Sequence, residues 1–380
     1  MPEITAPEGY DIVIIGAGPA GSSAAQTAAQ KGARVLLIDR QQRIGVPVQC
    51  AEFVSRWIYR HAQFSSKCAL QTIETMVTHL PSGASFETKS PGYMLDRSLF
   101  DKELSTSAIL SGTQVSIETK ATGLSPDGVV IERGTKKEII KSRVIIGADG
   151  VHSSIARWIG LPPIKTIVAL QYEVALSQSQ NYVEVFFHRD YEGGYAWFFP
   201  KGRIANAGIG IIPQKTSLLP DLMDHFLNRL VASKRLSNID IIGKTGGSIP
   251  CDKPRQTVFG NTMLVGDAAG HAHPITGAGI LNAVIGGEIA GRIAAEAIVR
   301  GDLRYLKNYE IEWRETFGQP LSYGAFKREL LEEGWHRPGV DFEDLIRKTW
   351  VGFKDYYKDR RKIPLHPPFS KGETPSLTKS

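Results

Sequence analysis

The densest chemistry in the sequence lies between residues 10 and 39. Gly16, Gly18 and Gly21 stand at G-x-G-x-x-G spacing within Gly16-Ala17-Gly18-Pro19-Ala20-Gly21. The β-branched run Tyr10 to Ile15 precedes them, and the Ala-rich stretch Ser22 to Gln30 follows. In such a strand–turn–helix unit the first glycine permits the tight turn. The second lets the backbone approach a pyrophosphate, and the third lets helix and strand pack closely. The helix start offers unpaired N–H groups and a positive dipole end to phosphate. Asp39 closes a second apolar run, Arg34 to Ile38, 18 residues past Gly21. A carboxylate there accepts hydrogen bonds from ribose hydroxyls and disfavours a 2′-phosphate. The loop therefore predicts FAD or NAD, not NADP.

Other residues could also do chemistry. Tyr195, Trp197 and Phe199 alternate, so a strand would present them on one face. Alternation alone favours a packed sheet core over a cavity wall. His271 and His273 flank Ala272 in a glycine-rich segment. They could tune a cofactor or donate protons near neutral pH, or serve only as loop hydrogen-bond donors. No Cys or carboxylate cluster completes a metal site around them, so no metal is expected. Cys50, Cys68 and Cys251 are odd in number and widely spaced, which argues against a disulfide framework and for a reducing, cytoplasmic compartment.

These groups need a large scaffold. The chain has 380 residues, enough for two to three domains. Its 42% apolar and 22% charged residues exclude a disordered chain and a collagen-like fibre. Net charge is +6, from 45 Lys and Arg against 39 Asp and Glu. That mild excess favours anionic partners without identifying one. Met1 to Gly9 lacks the pattern of a signal peptide. The longest apolar stretch, Gly277 to Val299, is interrupted by Asn282, Glu288, Arg292 and Glu296. No membrane-spanning helix is expected.

The pattern predicts strands over Tyr10–Ile15 and Arg34–Ile38 around the first helix. A helix follows over Ser98–Leu110, then short strands at 114–117, 129–132 and 138–141 and a buried strand at 143–146. Residues 41–100 otherwise read as short segments with turns. Alternating runs at 167–174, 182–187, 195–199 and 205–212 predict an antiparallel sheet. Helices are expected at 219–232, 277–299, 303–333 and 341–358, with a buried strand at 262–265.

Three further segments resemble the p-hydroxybenzoate-hydroxylase-like flavoproteins. They are Val265-Gly266-Asp267-Ala268-Ala269-Gly270 with Pro274 and Gly277-Ala278-Gly279-Ile280, then Gly147-Ala148-Asp149-Gly150, and Arg97-Ser98-Leu99-Phe100-Asp101. They occur in the family's order across residues 10 to 300, and the resemblance implies FAD as cofactor. It assigns Gly16, Gly18, Ala20 and Gly21 to the phosphate loop and Asp39 to the ribose. It sends Arg97 to the pyrophosphate region and Asp267 to the ribityl chain or pyrophosphate edge. It places Ala121 at the adenine, and the N–H groups of Gly279 and Ile280 at the flavin's pyrimidine side. Asp149 either contacts the cofactor or caps the following helix.

Within that superfamily, Pro47-Val48-Gln49-Cys50-Ala51-Glu52 and Tyr195-Ala196-Trp197-Phe198-Phe199-Pro200, followed by Gly208, resemble the geranylgeranyl reductases. The resemblance implies that Cys50 and Ala51 lie beside the isoalloxazine ring and that Tyr195, Trp197 and Phe199 line the substrate cavity. Alkene reduction needs a hydride and a proton. Cys50, Tyr195 or water could supply the proton, and Cys50 could instead be a small buried hydrophobe. Where the family often has Asn before the proline and Glu in the next glycine run, this chain has His273 and Ala278.

The expected fold is α/β. A Rossmann-like, GR2-type FAD-binding domain (residues 1–165 and 256–300) would carry an antiparallel-sheet substrate domain (166–255), C-terminal helices (301–362) and a mobile tail (363–380). The expected function is FAD-dependent reduction of isoprenoid double bonds in a geranylgeranyl lipid, diphosphate or prenyl-quinone tail. NAD(P)H, a ferredoxin or a quinol would be the electron donor, and no nucleic acid is involved. A monooxygenase or halogenase, and a flavin-carrying electron-transfer protein, are the rival readings. Phe342, Leu345, Ile346, Thr349, Trp350, Phe353, Tyr356 and Tyr357 fall at near-helical spacing, and residues 347–362 carry a net charge of +5. Such a helix could lie on an anionic membrane as a peripheral contact, or pack on the flavin domain.

Overall fold

Tyr10–Ile15 forms β1, whose side chains are buried almost throughout, as in a parallel strand covered on both faces. The computed structural model describes residues 9–176 and 178–358. After β1 the chain turns at Gly16 into α1 (Pro19–Gln30), with proline at the first turn, where its missing N–H costs no hydrogen bond. β2 (Val35–Ile38) returns parallel to β1, Ile12 opposite Val35. The chain then leaves this sheet for β3 (Phe53–Ser55), β4 (Ala69–His79) and β5 (Ser85–Leu95). It re-enters through α2 (Arg97–Leu110), where Asp96 accepts a cap hydrogen bond from Leu99 N at 2.9 Å.

β6 (Gln114–Ser116) pairs with β2. β7 (Lys120–Ser125), β8 (Gly128–Arg133) and β9 (Lys136–Gly147) form an antiparallel meander. The far half of β9 pairs parallel with β1, so the two strands expected at 138–141 and 143–146 are one. After α3 (Ser154–Trp158) come β10 (Thr166–Ala175), β11 (Tyr182–Phe186), β12 (Tyr195–Lys201), β13 (Ile204–Ile211), α4 (Leu219–Ala232) and β14 (Ile241–Pro250). β15 (Val258–Phe259) and β16 (Thr262–Leu264) rejoin the first sheet, followed by α5 (Ile280–Arg300), α6 (Lys307–Trp313), α7 (Gln319–Trp335) and α8 (Phe342–Thr349).

Two eight-stranded sheets result. The first runs β15-β16-β9-β1-β2-β6, with β7 and β8 beside β9. The second runs β14-β10-β13-β12-β11-β4-β5-β3. The second sheet departs from the expectation in two ways. It takes β3, β4 and β5 from outside residues 166–255, and β4 pairs with β11 in parallel, so the sheet is mixed.

The C-terminal expectation is also corrected. The helix ends at Thr349, and Trp350 is extended. Phe342, Leu345, Ile346, Trp350 and Phe353 are buried against Trp197, Phe199 and Met76 in one core cluster. The Trp350 indole donates to Thr78 Oγ1 at 3.0 Å. The aromatic stripe therefore packs on the second sheet and is not presented to a membrane. The tail at 363–380 lies outside the described residues. Among the described residues no helix is long and apolar enough to cross a membrane.

Candidate active site

The glycine loop divides its duties by position. A Cβ on Gly16, where φ is +102°, would stand 2.4 Å from the Ala148 carbonyl oxygen. One on Gly21 would stand 1.9 Å from the Gly16 oxygen. These two glycines close the turn against β9 and α1. A Cβ on Gly18 would meet nothing within 4 Å. The middle glycine thus opens onto free space at the uncapped start of α1. That space is a cleft of about 170 Å³ bordered by Ala17, Gly18, Asp39, Gly45, Arg97 and Asp101. Asp39 Oδ2 accepts from Ala17 N at 2.7 Å, and Oδ1 accepts from Gln41 N at 2.8 Å. Its carboxylate locks the loop while facing the cleft. Ala20 is buried beneath the loop, near Gly266. Ala121 lies in β7, just past Thr119, whose N–H bonds the Asp39 carbonyl. Ala121 does not line the cleft.

Arg97, the first residue of α2, makes a two-pronged ion pair with Asp101, Nε–Oδ1 and Nη2–Oδ2 both 2.9 Å. Asp267 follows β16 in a 3-10 turn. Its carboxylate has no hydrogen-bond partner among the described residues. Burial pushes its pKa up, and the Arg97 guanidinium pulls it back. A Cβ on Gly279 would lie 3.4 Å from Asp267 Oδ1, so Asp267 sits against the start of α5. Gly279 caps that helix without a side-chain bond, leaving the N–H groups of its first turn open, and Ile280 is buried behind them. Asp149 is engaged at a helix start. Its two oxygens take Ser153 Oγ at 2.5 Å and the N–H groups of Ser154 and Ile155 at 2.6 and 3.2 Å. Of its two readings, these bonds support the helix cap, at the start of α3.

Cys50 and Ala51 lie on the loop between β2 and β3, which passes over β14, β10 and β13. The loop is pinned repeatedly. Thr245 Oγ1 donates to the Val48 carbonyl at 2.9 Å, Gln171 Nε2 to that of Cys50 at 3.0 Å, and Asn206 Nδ2 to that of Ala51 at 3.2 Å. Glu52 ends the loop in the left-handed region, φ +68°, which a non-glycine residue adopts only when its surroundings enforce it. Glu52 Oε1 accepts from Arg97 N at 2.9 Å. Oε2 accepts from Asn206 Nδ2 at 2.9 Å and Lys201 Nζ at 2.5 Å. Burial pulls the Lys201 pKa down, but the Glu52 and Glu173 carboxylates more than offset this. Burial raises the Cys50 thiol, against the pull of Arg97, so the sulfur carries its proton at neutral pH. Glu52, Lys201, Asn206 and Gln171 were not anticipated as site residues. Glu52 was legible only as the end of its motif.

Tyr195, Trp197 and Phe199 share one face of β12, while Ala196 and Phe198 face a separate core cluster. Gly208 stands opposite Trp197 on β13, and a Cβ there would lie 2.2 Å from the indole. The indole can therefore lie flat on the sheet, where its N–H donates to Gln171 Oε1 at 2.9 Å. Gln171 thus links Trp197 to the Cys50 carbonyl. Tyr195 donates to the Thr276 carbonyl at 2.6 Å. A narrow crevice of about 10 Å³, room for roughly one water molecule, lies between Tyr195, Trp197, Ile167, Ile249 and the Pro274–Gly277 loop. Phe199 does not line it. Its ring packs edge-on against Phe53 at 6.1 Å.

The two histidines are not proton donors near neutral pH. His271 is fully buried between Trp313 and Phe317, both ring nitrogens lack partners among the described residues, and burial with nearby Arg314 pushes its pKa down to about 3. Burial takes His273 down to about 4. Its Nδ1 accepts from Ile275 and Thr276 N–H, both at 3.3 Å, so the ring orders the crevice loop.

These donors fit FAD. Two open helix starts, a glycine facing free space and an unpartnered half-buried carboxylate suit a pyrophosphate, a pyrimidine edge and ribityl hydroxyls. Comparison with known proteins agrees. Residues 11–148 match a model of FAD-dependent oxidoreductases, and residues 165–249 match that of the geranylgeranyl reductase catalytic domain. The digeranylgeranylglycerophospholipid reductase of Methanosarcina acetivorans is 38% identical over 335 residues, covering 82% of each chain. The protein of that name from Methanocaldococcus jannaschii is 35% identical over 92% of this chain and 98% of its own. A geranylgeranyl bacteriochlorophyll reductase-like protein from Thermoplasma acidophilum superimposes with a TM-score of 0.79 at 27% identity, over 88% of this chain and 89% of its own. The flavin-dependent brominase Bmp2 shares the fold, with a TM-score of 0.70 at 18% identity over 90% of each chain.

Proposed function

The chain belongs to the geranylgeranyl reductase family of FAD-dependent oxidoreductases, and from that membership we propose that its substrate is a glycerophospholipid bearing geranylgeranyl chains. It is an FAD-dependent reductase that saturates isoprenoid double bonds. The observation that carries the lipid reading is the apolar lining of the crevice between β12 and the Pro274–Gly277 loop. Aromatic and aliphatic side chains wall it, and the Tyr195 hydroxyl and the Trp197 N–H are already bonded to protein. Such walls suit an apolar chain and offer little to a polar substrate.

When bound and reduced, FAD supplies a hydride to one alkene carbon. Cys50 holds the proton for the other carbon, because its half-buried thiol stays protonated at neutral pH. Tyr195 is the weaker acid here: its hydroxyl proton is committed to Thr276, and burial raises its pKa. Gln171 orients both Cys50 and Trp197. Asp267, the glycine loop and the start of α5 hold the cofactor. The reducing equivalents come from NAD(P)H, ferredoxin or quinol. The reading further takes the protein as cytoplasmic and peripheral to the membrane in which such a lipid resides.

The test is single-turnover. Reduced enzyme is mixed anaerobically with geranylgeranyl lipid, and products are weighed by mass spectrometry. A gain of two hydrogens per reduced bond is expected. Flavin that stays reduced with the lipid but reacts with oxygen to hydroxylate or halogenate a substrate would overturn the proposal.

A further inference from the structure

Between Glu52 and Glu74 the sequence has no acidic residue, yet it carries Arg56, Arg60 and Lys67. This stretch follows the Cys50 loop directly, as β3 and then 3-10 turns at Arg56–Arg60 and Ser66–Cys68. Ile58 and Cys68 are buried in a core cluster with Phe100 and Ile280, which fixes the opposite side outward. On that side Tyr59 is 43% exposed, stacks on Phe64 at 4.4 Å and meets Tyr93 edge-on at 5.1 Å. The Arg60 guanidinium lies 4.0 Å over the half-buried Trp57 ring. Of the nearby acids, Glu103 is bonded by Ser65 and feels Lys67 only through space, and Glu288 is bonded by His61. Among the described residues no carboxylate forms an ion pair with Arg56, Arg60 or Lys67.

Resting on the lipid-substrate reading above, we infer that residues 56–67 form a docking face for an anionic phospholipid surface. Half-exposed Trp and Tyr rings with polar tips suit the membrane–water boundary. Unpaired Arg and Lys beside them are attracted to anionic headgroups. The location suits delivery. Arg56 is six residues past Cys50, which limits the separation to about 20 Å even for an extended chain. Phe53, between them, touches Phe199 on the substrate strand. A membrane on this face would thus lie within a lipid tail's reach of the site. The C-terminal aromatics, buried on the second sheet, cannot serve this purpose.

Flotation of the full-length holoenzyme with vesicles tests the inference. Binding is expected to vesicles containing roughly one-third phosphatidylglycerol and not to phosphatidylcholine alone. Salt at about 0.5 M should release it. The R56E/R60E/K67E variant should bind at least about tenfold more weakly, and R56K/R60K/K67R should bind like wild type. The reversed variant should lose activity on lipid in vesicles but keep it on the same lipid dispersed in detergent. Equal binding to neutral vesicles, or undiminished binding by the reversed variant, would overturn the inference. So would binding of an acidic electron-carrier protein to this face without any vesicle binding. If no geranylgeranyl lipid is reduced in either dispersion, the substrate reading fails, and flotation still decides the docking face.

Discussion

Lys201 on β12 directs its ammonium at Glu52, Nζ to Oε2 2.5 Å, across 149 residues of sequence. The pair is buried, with Glu52 about 1% exposed. Removing one partner strands the other charge in a low-dielectric site. Lys201→Met should lower stability by about 3–5 kcal/mol, and Glu52→Gln/Lys201→Met should recover much of that loss. Denaturant midpoints of the two single variants and the double variant measure the coupling. Strictly additive losses would show that the charges do not interact.

Asp267→Ala removes the unpartnered carboxylate beside the start of α5. The variant should purify with much less FAD, read from the ratio of flavin to protein absorbance. Full yellow occupancy would exclude a cofactor contact at this position.

Cys50→Ala should keep its FAD and reduce the rate of flavin reoxidation by substrate about 10²-fold or more. The pH profile carries the sign. Because burial raises the thiol's pKa, the protonated, active form persists through neutral pH, and the rate falls only as pH rises past the ordinary thiol range. That alkaline limb should vanish in the variant. An unchanged profile would assign the proton to water.

Trp197→Phe keeps a ring in the crevice but leaves Gln171 Oε1 without its indole donor. An unpaired buried acceptor costs about 1–3 kcal/mol. Because Gln171 also holds the Cys50 carbonyl, kcat should fall along with the rise in KM. Unchanged kinetics with normal FAD content would return Trp197 to plain core.

His271 is buried neutral, with a folded pKa near 3. The unfolded chain takes up a proton below about 6.5 and the folded chain does not, so this contribution is present at neutral pH and is lost as pH falls from about 6.5 towards 3. His271→Phe removes the titration while keeping a ring between Trp313 and Phe317. Its Tm relative to wild type should rise by about 2–4 °C on going from pH 8 to pH 5. A pH-independent difference would refute the assignment.

The first βαβ unit was legible because local signals agreed there: a β-branched run, spaced glycines and a terminal acid. β4 and β5 were not. Pro91 and Gly92 lie inside β5 and read as a turn, yet Gly92 admits Phe53 and the Val54 carbonyl at close range. β14 holds Gly243, Gly246 and Gly247 and survives as an edge strand, where glycine is tolerated. The C-terminal periodicity located α8 but could not show where it stops, because the indole of Trp350 is held by Thr78, 272 residues away. The Glu52 clamp was hidden for the same reason. Its partners are 45, 149 and 154 residues distant, so no window of sequence contains them.

Because Val48, Cys50, Ala51 and Glu52 are each fastened to β10, β12, β13, β14 or α2, the loop that carries Cys50 cannot lift off the second sheet without tearing a whole seam of bonds. The loop beside Cys50 is thus set in place before any ligand arrives, and binding spends no free energy on ordering it.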